Sequence, residues 1–346
     1  MRLSEHFPMI NSRLKTFEGI LKSLLLCRGC FYKNIAQEIE SKILLDSKIK
    51  SVSRFLQGSF IPDASFHAFI KTFIPSHKVQ ISVDRTIWEH GKEIRNILVL
   101  AISYDHITIP VLFKTIPYKG TCTGDDQIDI IQQYIALYGR ETIGIVTADR
   151  EFENQKFIRF LHTSGICFAI RARKISRVLN DRGERVRLEK LEGVKKRHFK
   201  TLFYDMGVKL DHKTINKEEY LSVISSLNCP DGFESYKKRW DIERCFKGCK
   251  TSGFNMEQTH VKSTERFINF IKCIFIAFAI AMKIGNIGNQ LKPIKIKKTL
   301  KAKSKSTLTY GLEIIKNTYY TQRKDMFRII NKAFDQIKLT LDIFVR

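Results

Sequence analysis

Six small or apolar residues in a row, Ile143 to Ala148 (IGIVTA), run directly into a charged one, Asp149. A continuous apolar run of that length reads as a strand buried on both faces. Its neighbours in the chain supply the rest of a sheet. Val79, Ile81 and Val83 alternate with polar residues, as a half-buried strand does. Ile94 to Tyr104 reads as a second, β-branched strand. Ile107 to Phe113 reads as a third, and Pro110 argues that it lies at an edge. A helix is expected over Asp125 to Leu137, its start marked by Thr123, Asp125 and Asp126. Another is expected over Asn154 to His162, closed near Gly165, and a fifth strand over Ile166 to Arg171.

The resulting order, β-β-β-α-β-α-β with a further helix after it, is an α/β pattern with a mixed sheet. It matches a ribonuclease H-like core over 77–171 and 231–290. Between those stretches, 172–230 is rich in Arg and Lys, has short strand-like runs and a turn at Asp181-Arg182-Gly183, and reads as a β-rich insertion. Ahead of the core, 1–76 reads as a helical N-terminal region. Ile20 to Leu26 is an apolar helical run, Tyr32 to Ile43 has helical spacing, and Ser51 to Gly58 adds two turns. This region is expected either to bind DNA or to cap the core. Behind the core, 291–346 opens with seven lysines between Lys292 and Lys305, a basic linker that reads as a solvated segment or a DNA-tracking arm. An amphipathic helix should follow from about Thr307 to Phe344, broken near Asn317.

Charge speaks to partners. Sixty Lys and Arg against 35 Asp and Glu leave a formal +25. So basic a chain repels itself until a polyanion neutralises it. Nucleic acid is the common partner, since each phosphate contacted releases counterions. Charge alone also fits a ribosome-associated or membrane-surface protein. A 43% hydrophobic content is too high for a disordered chain. The most apolar stretch, Phe267 to Met282, is shorter than a bilayer span and contains Lys272, so it reads as a buried helix and no membrane is expected among the partners. Met1 to Glu18 is polar and of mixed charge, unlike a signal peptide. Eight scattered cysteines fit a reducing cytoplasm better than a disulfide framework, and Cys27 and Cys30 lack a second ligand pair for zinc.

Two aspartates close predicted strands: Asp84 in QISVDRT and Asp149 in GIVTADREF. One Asp at a strand end is usually a turn cap; two on neighbouring strands favour a carboxylate pair, and a third element has to decide. A strong helix is expected from Glu234 to Lys250. On it Tyr236, Arg239, Glu243 and Lys250 follow at offsets of three, seven and fourteen. At about 100° per residue they fall within an arc of roughly 60°. One stripe then presents a phenol, a guanidinium, a carboxylate and an ammonium, flanked by apolar Ile242, Cys245, Phe246 and Cys249. The bland alternative is a solvated face with a Glu–Lys pair.

The spacing Tyr-x2-Arg-x3-Glu-x6-Lys resembles the YREK signature of the insertion sequence 4 family of DDE transposases. Asp84-Arg85-Thr86, Asp149-Arg150-Glu151-Phe152 and the run SGFNMEQTH after Lys250 look like the same family, over about residues 76 to 285. The resemblance implies cut-and-paste DNA transposition, with Asp84, Asp149 and Glu243 as catalytic metal ligands. It implies that Arg239 and Lys250 grip phosphates beside the scissile bond, that Tyr236 hydrogen-bonds or stacks nearby, and that Arg150 assists in DNA binding. The expected partners are terminal inverted repeats and target DNA, with a dimer in a synaptic complex, in the cytoplasm on the bacterial nucleoid.

The chemistry agrees. In-line cleavage of a phosphodiester suits two Mg²⁺ (or Mn²⁺) ions per active site, about 4 Å apart, held by carboxylates. Relatives that form a DNA hairpin stack a tryptophan of the insertion on a flipped base. Here Trp88 and Trp240 both lie outside 172–230. Phe199, Phe203 or Tyr204 would have to replace it, or the mechanism differs, and Trp240 beside Arg239 reads as core. A structure-specific DNA nuclease on the same core, or a catalytically inactive DNA-binding relative, would share most of these features.

Overall fold

The chain enters through helices α1 (Leu3–His6), α2 (Asn11–Cys27), α3 (Tyr32–Glu38), α4 (Leu45–Gln57) and α5 (Asp63–Lys71). The structure is a computed structural model that describes residues 3–27, 29–90, 93–180, 182–191, 196–215, 219–256, 259, 261–299, 301–322 and 324–337. Two helices differ from expectation. The helix from Tyr32 stops at Glu38, because Ile39 turns extended and buries itself on Gly19. Of Ser51 to Gly58, Ser51 to Gln57 is only the second half of α4, which begins at Leu45, and Gly58 is its extended C-cap.

At Val79 the pattern changes to period two and the chain becomes strand. β1 (Val79–His90) pairs antiparallel with β2 (Glu93–Tyr104), and β2 with β3 (Ile107–Ile116). Helix α6 (Gly124–Tyr138) crosses over to β4 (Ile143–Ala148), which lies parallel to β1. Its start is fixed by a capping box in which Thr123 and Asp126 satisfy each other's backbone N–H groups. Helix α7 (Gln155–Thr163), capped by Asn154, crosses over to β5 (Phe168–Arg171), parallel to β4. The order β3-β2-β1-β4-β5, three antiparallel strands and then two parallel ones, is the expected ribonuclease H-like core. β3 does lie at the sheet edge. Its bulge beside Pro110 is where the register with β2 shifts.

The strands of 172–230 extend this sheet. β6 (Arg177–Leu179) and β7 (Arg185–Arg187) form a small hairpin of their own. β8 (Lys196–Phe203), β9 (Met206–Thr214) and β10 (Tyr220–Ser226) form a meander. β10 pairs antiparallel with β5, so the sheet has eight strands in the order β3-β2-β1-β4-β5-β10-β9-β8.

The single helix expected from Glu234 to Lys250 is in three pieces: α8 (Gly232–Lys237), α9 (Trp240–Lys247) and a π-helical turn, Gly248–Ser252. Three-residue turns, Tyr236 to Arg239, Lys238 to Asp241 and Arg239 to Ile242, tighten the chain between α8 and α9. A Cβ at Gly253 would lie 2.2 Å from the Gly248 carbonyl oxygen, so the π-turn needs glycine there.

α10 (Thr264–Leu291) is the central helix, packed by α2, α4, α5 and β3 and by the C-terminal helices α11 (Thr307–Thr321) and α12 (Lys324–Ile337). It is longer than the expected Phe267 to Met282, and long and apolar enough to cross a membrane by length and composition, yet nearly all of it is buried inside the protein. Lys272 within it donates to the Ile61 carbonyl (2.8 Å) and pairs with Asp63 (2.7 Å). α10 and α11 touch backbone to backbone: a Cβ at Gly311 would lie 1.9 Å from the Ala281 carbonyl oxygen. The lysine-rich linker contains an exposed hairpin of β11 (Ile296–Lys297) and β12 (Ala302–Lys303). The C-terminal break comes at Gln322, whose backbone is left-handed, and not at Asn317, which lies inside α11. The expected end at Phe344 lies outside the described residues.

Candidate active site

Ala148 of β4 lies between Val83 of β1 and Ile170 of β5. The next residue on each strand is Asp84, Asp149 and Arg171, so these three stand level at the carboxyl end of the parallel strands. Asp84 does not close β1, as the sequence suggested. β1 continues to His90, and Asp84 pairs with Val99 of β2. It is the parallel neighbour that ends: β4 stops at Ala148, and Asp149 leads into a 3₁₀ turn, Arg150–Phe152. The departure of β4 is what opens the site beside Asp84.

The helices bring the third carboxylate. α8 packs on β4, β5, β9 and β10, with Phe233 and Tyr236 against Ala169 and Val223, while α9 packs on β1 and β3. The tight turns between them swing Arg239 inward, leaving its side chain 5% exposed. Its Nη1 donates to Asp84 Oδ2 at 3.1 Å and its Nη2 to Glu243 Oε1 at 2.6 Å. The guanidinium lies 5.4 Å from the centre of the Tyr236 ring, and the Tyr236 hydroxyl donates to Asp149 Oδ1 at 2.8 Å. Five of the seven residues named from sequence thus form one network: Asp84, Asp149, Glu243, Tyr236 and Arg239.

The other two stand at its rim. Lys250, in the π-turn, donates to the Ile87 carbonyl of β1 at 2.7 Å, three residues beyond Asp84. Arg150 is exposed, and its backbone N–H supports the Asp149 carboxylate.

Crowding separates the two aspartates. Burial pushes Asp84 up to about 6, with Asp149 and Glu243 adding to the rise and Arg239 and the Arg85 N–H opposing it. Burial also acts to raise Asp149. There the Arg150 N–H, the Tyr236 hydroxyl and the charges of Arg239 and Arg171 outweigh it and hold the carboxyl below its ordinary value. Burial keeps the Tyr236 phenol protonated, so it remains a donor.

Sequence reasoning missed three contributors. Arg171 Nη1 lies 4.0 Å from Asp149 Oδ1. Its signal was the one used for Asp149, a charged residue ending an apolar parallel strand. Arg85 forks onto Glu151 at 2.5 and 3.0 Å and donates to Asn96 at 3.1 Å. This ties β1 to the turn after Asp149 and fixes the spacing of the two aspartates. Both partners sat inside the quoted aspartate segments.

The aromatic residues also need correction. Trp240, expected in the core, is 60% exposed, because the turn that buries Arg239 rotates the next residue outward. Trp88 is buried against Phe267. Phe203 is buried, the Tyr204 hydroxyl is held by Glu153 at 3.0 Å, and Phe199 is half-buried against the core.

Three carboxylates are a hard-oxygen donor set, suited to a divalent cation. Among the described residues no three acidic, His or Cys side chains stand in a ligating cluster, and the Arg239 guanidinium lies between Asp84 and Glu243. A family model described as the transposase DDE domain matches residues 78–280, more than half of the chain. No curated protein matches. A solved structure of the piggyBac transposase synaptic complex with hairpin DNA overlaps at a TM-score of 0.47 and 12% identity, covering 95% of this chain and 76% of that one. The chain belongs to the DDE-domain transposases, enzymes that cut and rejoin DNA with the help of divalent metal ions.

Proposed function

We propose that this transposase excises and inserts its own insertion sequence, with Asp84, Asp149 and Glu243 as ligands of Mg²⁺ or Mn²⁺, two ions per site. One observation carries this reading. Carboxylates from β1, the end of β4 and α9 converge, and the residues that bind them, Arg239 and Tyr236, belong to the same four-residue spacing as Glu243. That spacing resembles the YREK signature of the insertion sequence 4 family.

Bound metal would activate the attacking oxygen and stabilise the leaving one. The chain's own residues do the rest. Tyr236 orients Asp149, and Arg85 with Glu151 holds the two aspartate segments together. Arg239, Lys250 and Arg150 offer cations to phosphates along the scissile strand. Terminal inverted repeats and target DNA are the partners, bound by a dimer in a synaptic complex, on the bacterial nucleoid in the cytoplasm. The N-terminal helices and the lysine hairpin add further DNA contacts, in keeping with the +25 charge.

Replacing Asp84, Asp149 or Glu243 with Ala should abolish cleavage of repeat-containing DNA in Mn²⁺ while leaving DNA binding intact. A Glu243→Ala protein that still cuts would overturn the assignment. A strand-transfer assay separates this reading from a structure-specific nuclease, which does not join ends. A wild-type protein that binds repeats and cuts nothing would instead be a catalytically inactive relative.

A further inference from the structure

The Arg239 guanidinium occupies an unusual place for a phosphate-gripping residue. Its side chain is 5% exposed, and two of its nitrogens are already spent on Asp84 (3.1 Å) and Glu243 (2.6 Å). No ion can bridge those two carboxylates while the guanidinium lies between them. Nor can the guanidinium simply leave, since a buried charge stripped of its partners is strongly destabilising. It needs another anion to go to. A DNA phosphate is such an anion, and it matches the planar guanidinium fork as a carboxylate does.

We propose that Arg239 is an internal counter-cation that keeps the metal site closed in the DNA-free protein and opens it when a DNA phosphate takes up its guanidinium. This rests on the reading of Asp84 and Glu243 as metal ligands. DNA and metal then bind cooperatively, because each favours the state in which Arg239 has left the carboxylates. The device confines metal-dependent chemistry to the DNA-bound enzyme. It also explains why the carboxylates come together among the described residues without forming a ligating cluster.

The test is Mn²⁺ binding to the full chain, by electron paramagnetic resonance and calorimetry, with and without a DNA duplex carrying the terminal repeat. Without DNA, Arg239→Gln should bind Mn²⁺ about tenfold more tightly than wild type, and Arg239→Lys should fall between them. DNA should tighten Mn²⁺ binding about tenfold in the wild type and leave Arg239→Gln nearly unchanged. Loss of fold would weaken binding, so tighter binding cannot come from structural damage. Circular dichroism checks the fold, and Arg239→Lys, which retains the charge, carries the test if Arg239→Gln does not fold. Mn²⁺ affinity that fails to rise in the folded variants, or DNA coupling equal in all of them, overturns the proposal. Adding Glu243→Gln to Arg239→Gln should abolish the gain. If the gain persists there, the ligand reading fails, and the proposal with it.

Discussion

Asp84→Asn should make this protein more stable while removing its activity. The Asp84 carboxyl is pushed up to about 6 from 3.8, by burial first and then by Asp149 and Glu243, against Arg239 and the Arg85 N–H. A folded pKa above the unfolded one means that the native state holds the proton more tightly. Stability is therefore fully present below about pH 4 and is lost as the pH rises through 6. At about 1.4 kcal/mol per unit, the loss above pH 6 is on the order of 3 kcal/mol. Asn never ionises, but it has one acceptor oxygen where Asp84 uses two, for Arg239 Nη1 at 3.1 Å and for the Arg85 N–H at 2.8 Å, so it gives up one of these bonds at a cost of about 1 kcal/mol. At pH 8 the variant should exceed wild type by about 2 kcal/mol, and at pH 4 it should fall about 1 kcal/mol below it. Urea unfolding with a chelator present, followed by tryptophan fluorescence, measures both. An unchanged or lower midpoint at pH 8, or an advantage that persists at pH 4, refutes the reasoning. The expected result is a site that gives up stability for function.

Asp149 carries the opposite sign. Its pKa is held below the ordinary value, so its charge contributes stability above that value and the contribution is lost as pH falls through the folded pKa. Asp149→Asn should thus be less stable than wild type at pH 7, and the same urea series at falling pH should show the gap closing. Tyr236→Phe removes a 2.8 Å donor to a charged carboxylate, at a cost of about 1.5–3 kcal/mol. A ¹³C NMR titration should find Asp149 shifted upward in that protein; an unmoved titration would show that the hydroxyl does not set it. Gly311→Ala forces a methyl against the Ala281 carbonyl oxygen and should cost about 1–3 kcal/mol or more by separating α10 from α11. An unchanged melting temperature would contradict that backbone contact.

Much of the core was legible because its signals are local. IGIVTA lies between two strands since every position in it is small or apolar, buried except at half-buried Gly144 and Ile145, and β4 has the bounds read from sequence. The cap of α6 was visible because Thr123 bonds to an N–H group three residues away. The spacing of Tyr236, Arg239 and Glu243 was also visible, although the helix that carries them was not. A straight helix would put all four residues in one stripe. The real chain tightens after Tyr236 and loosens into a π-turn at Gly248, so Lys250 reaches β1 by a different route.

The sequence by itself determined which residue types could do chemistry here and in what order the strands and helices would come. Periodicity and capping are short-range properties, written within a few residues. What each charge touches was decided only by the tertiary structure. Whether Asp84 faces a neighbour depends on β4 ending at Ala148, 64 residues further along the chain. Arg171 joins the site only through register with that same strand. Arg239 looked like a free cation on a helix stripe, and folding made it the buried link between two carboxylates. Burial and crowding then split two aspartates with equal intrinsic acidity, one upward and one downward. That division comes from desolvation and distance, neither of which a residue carries in its name.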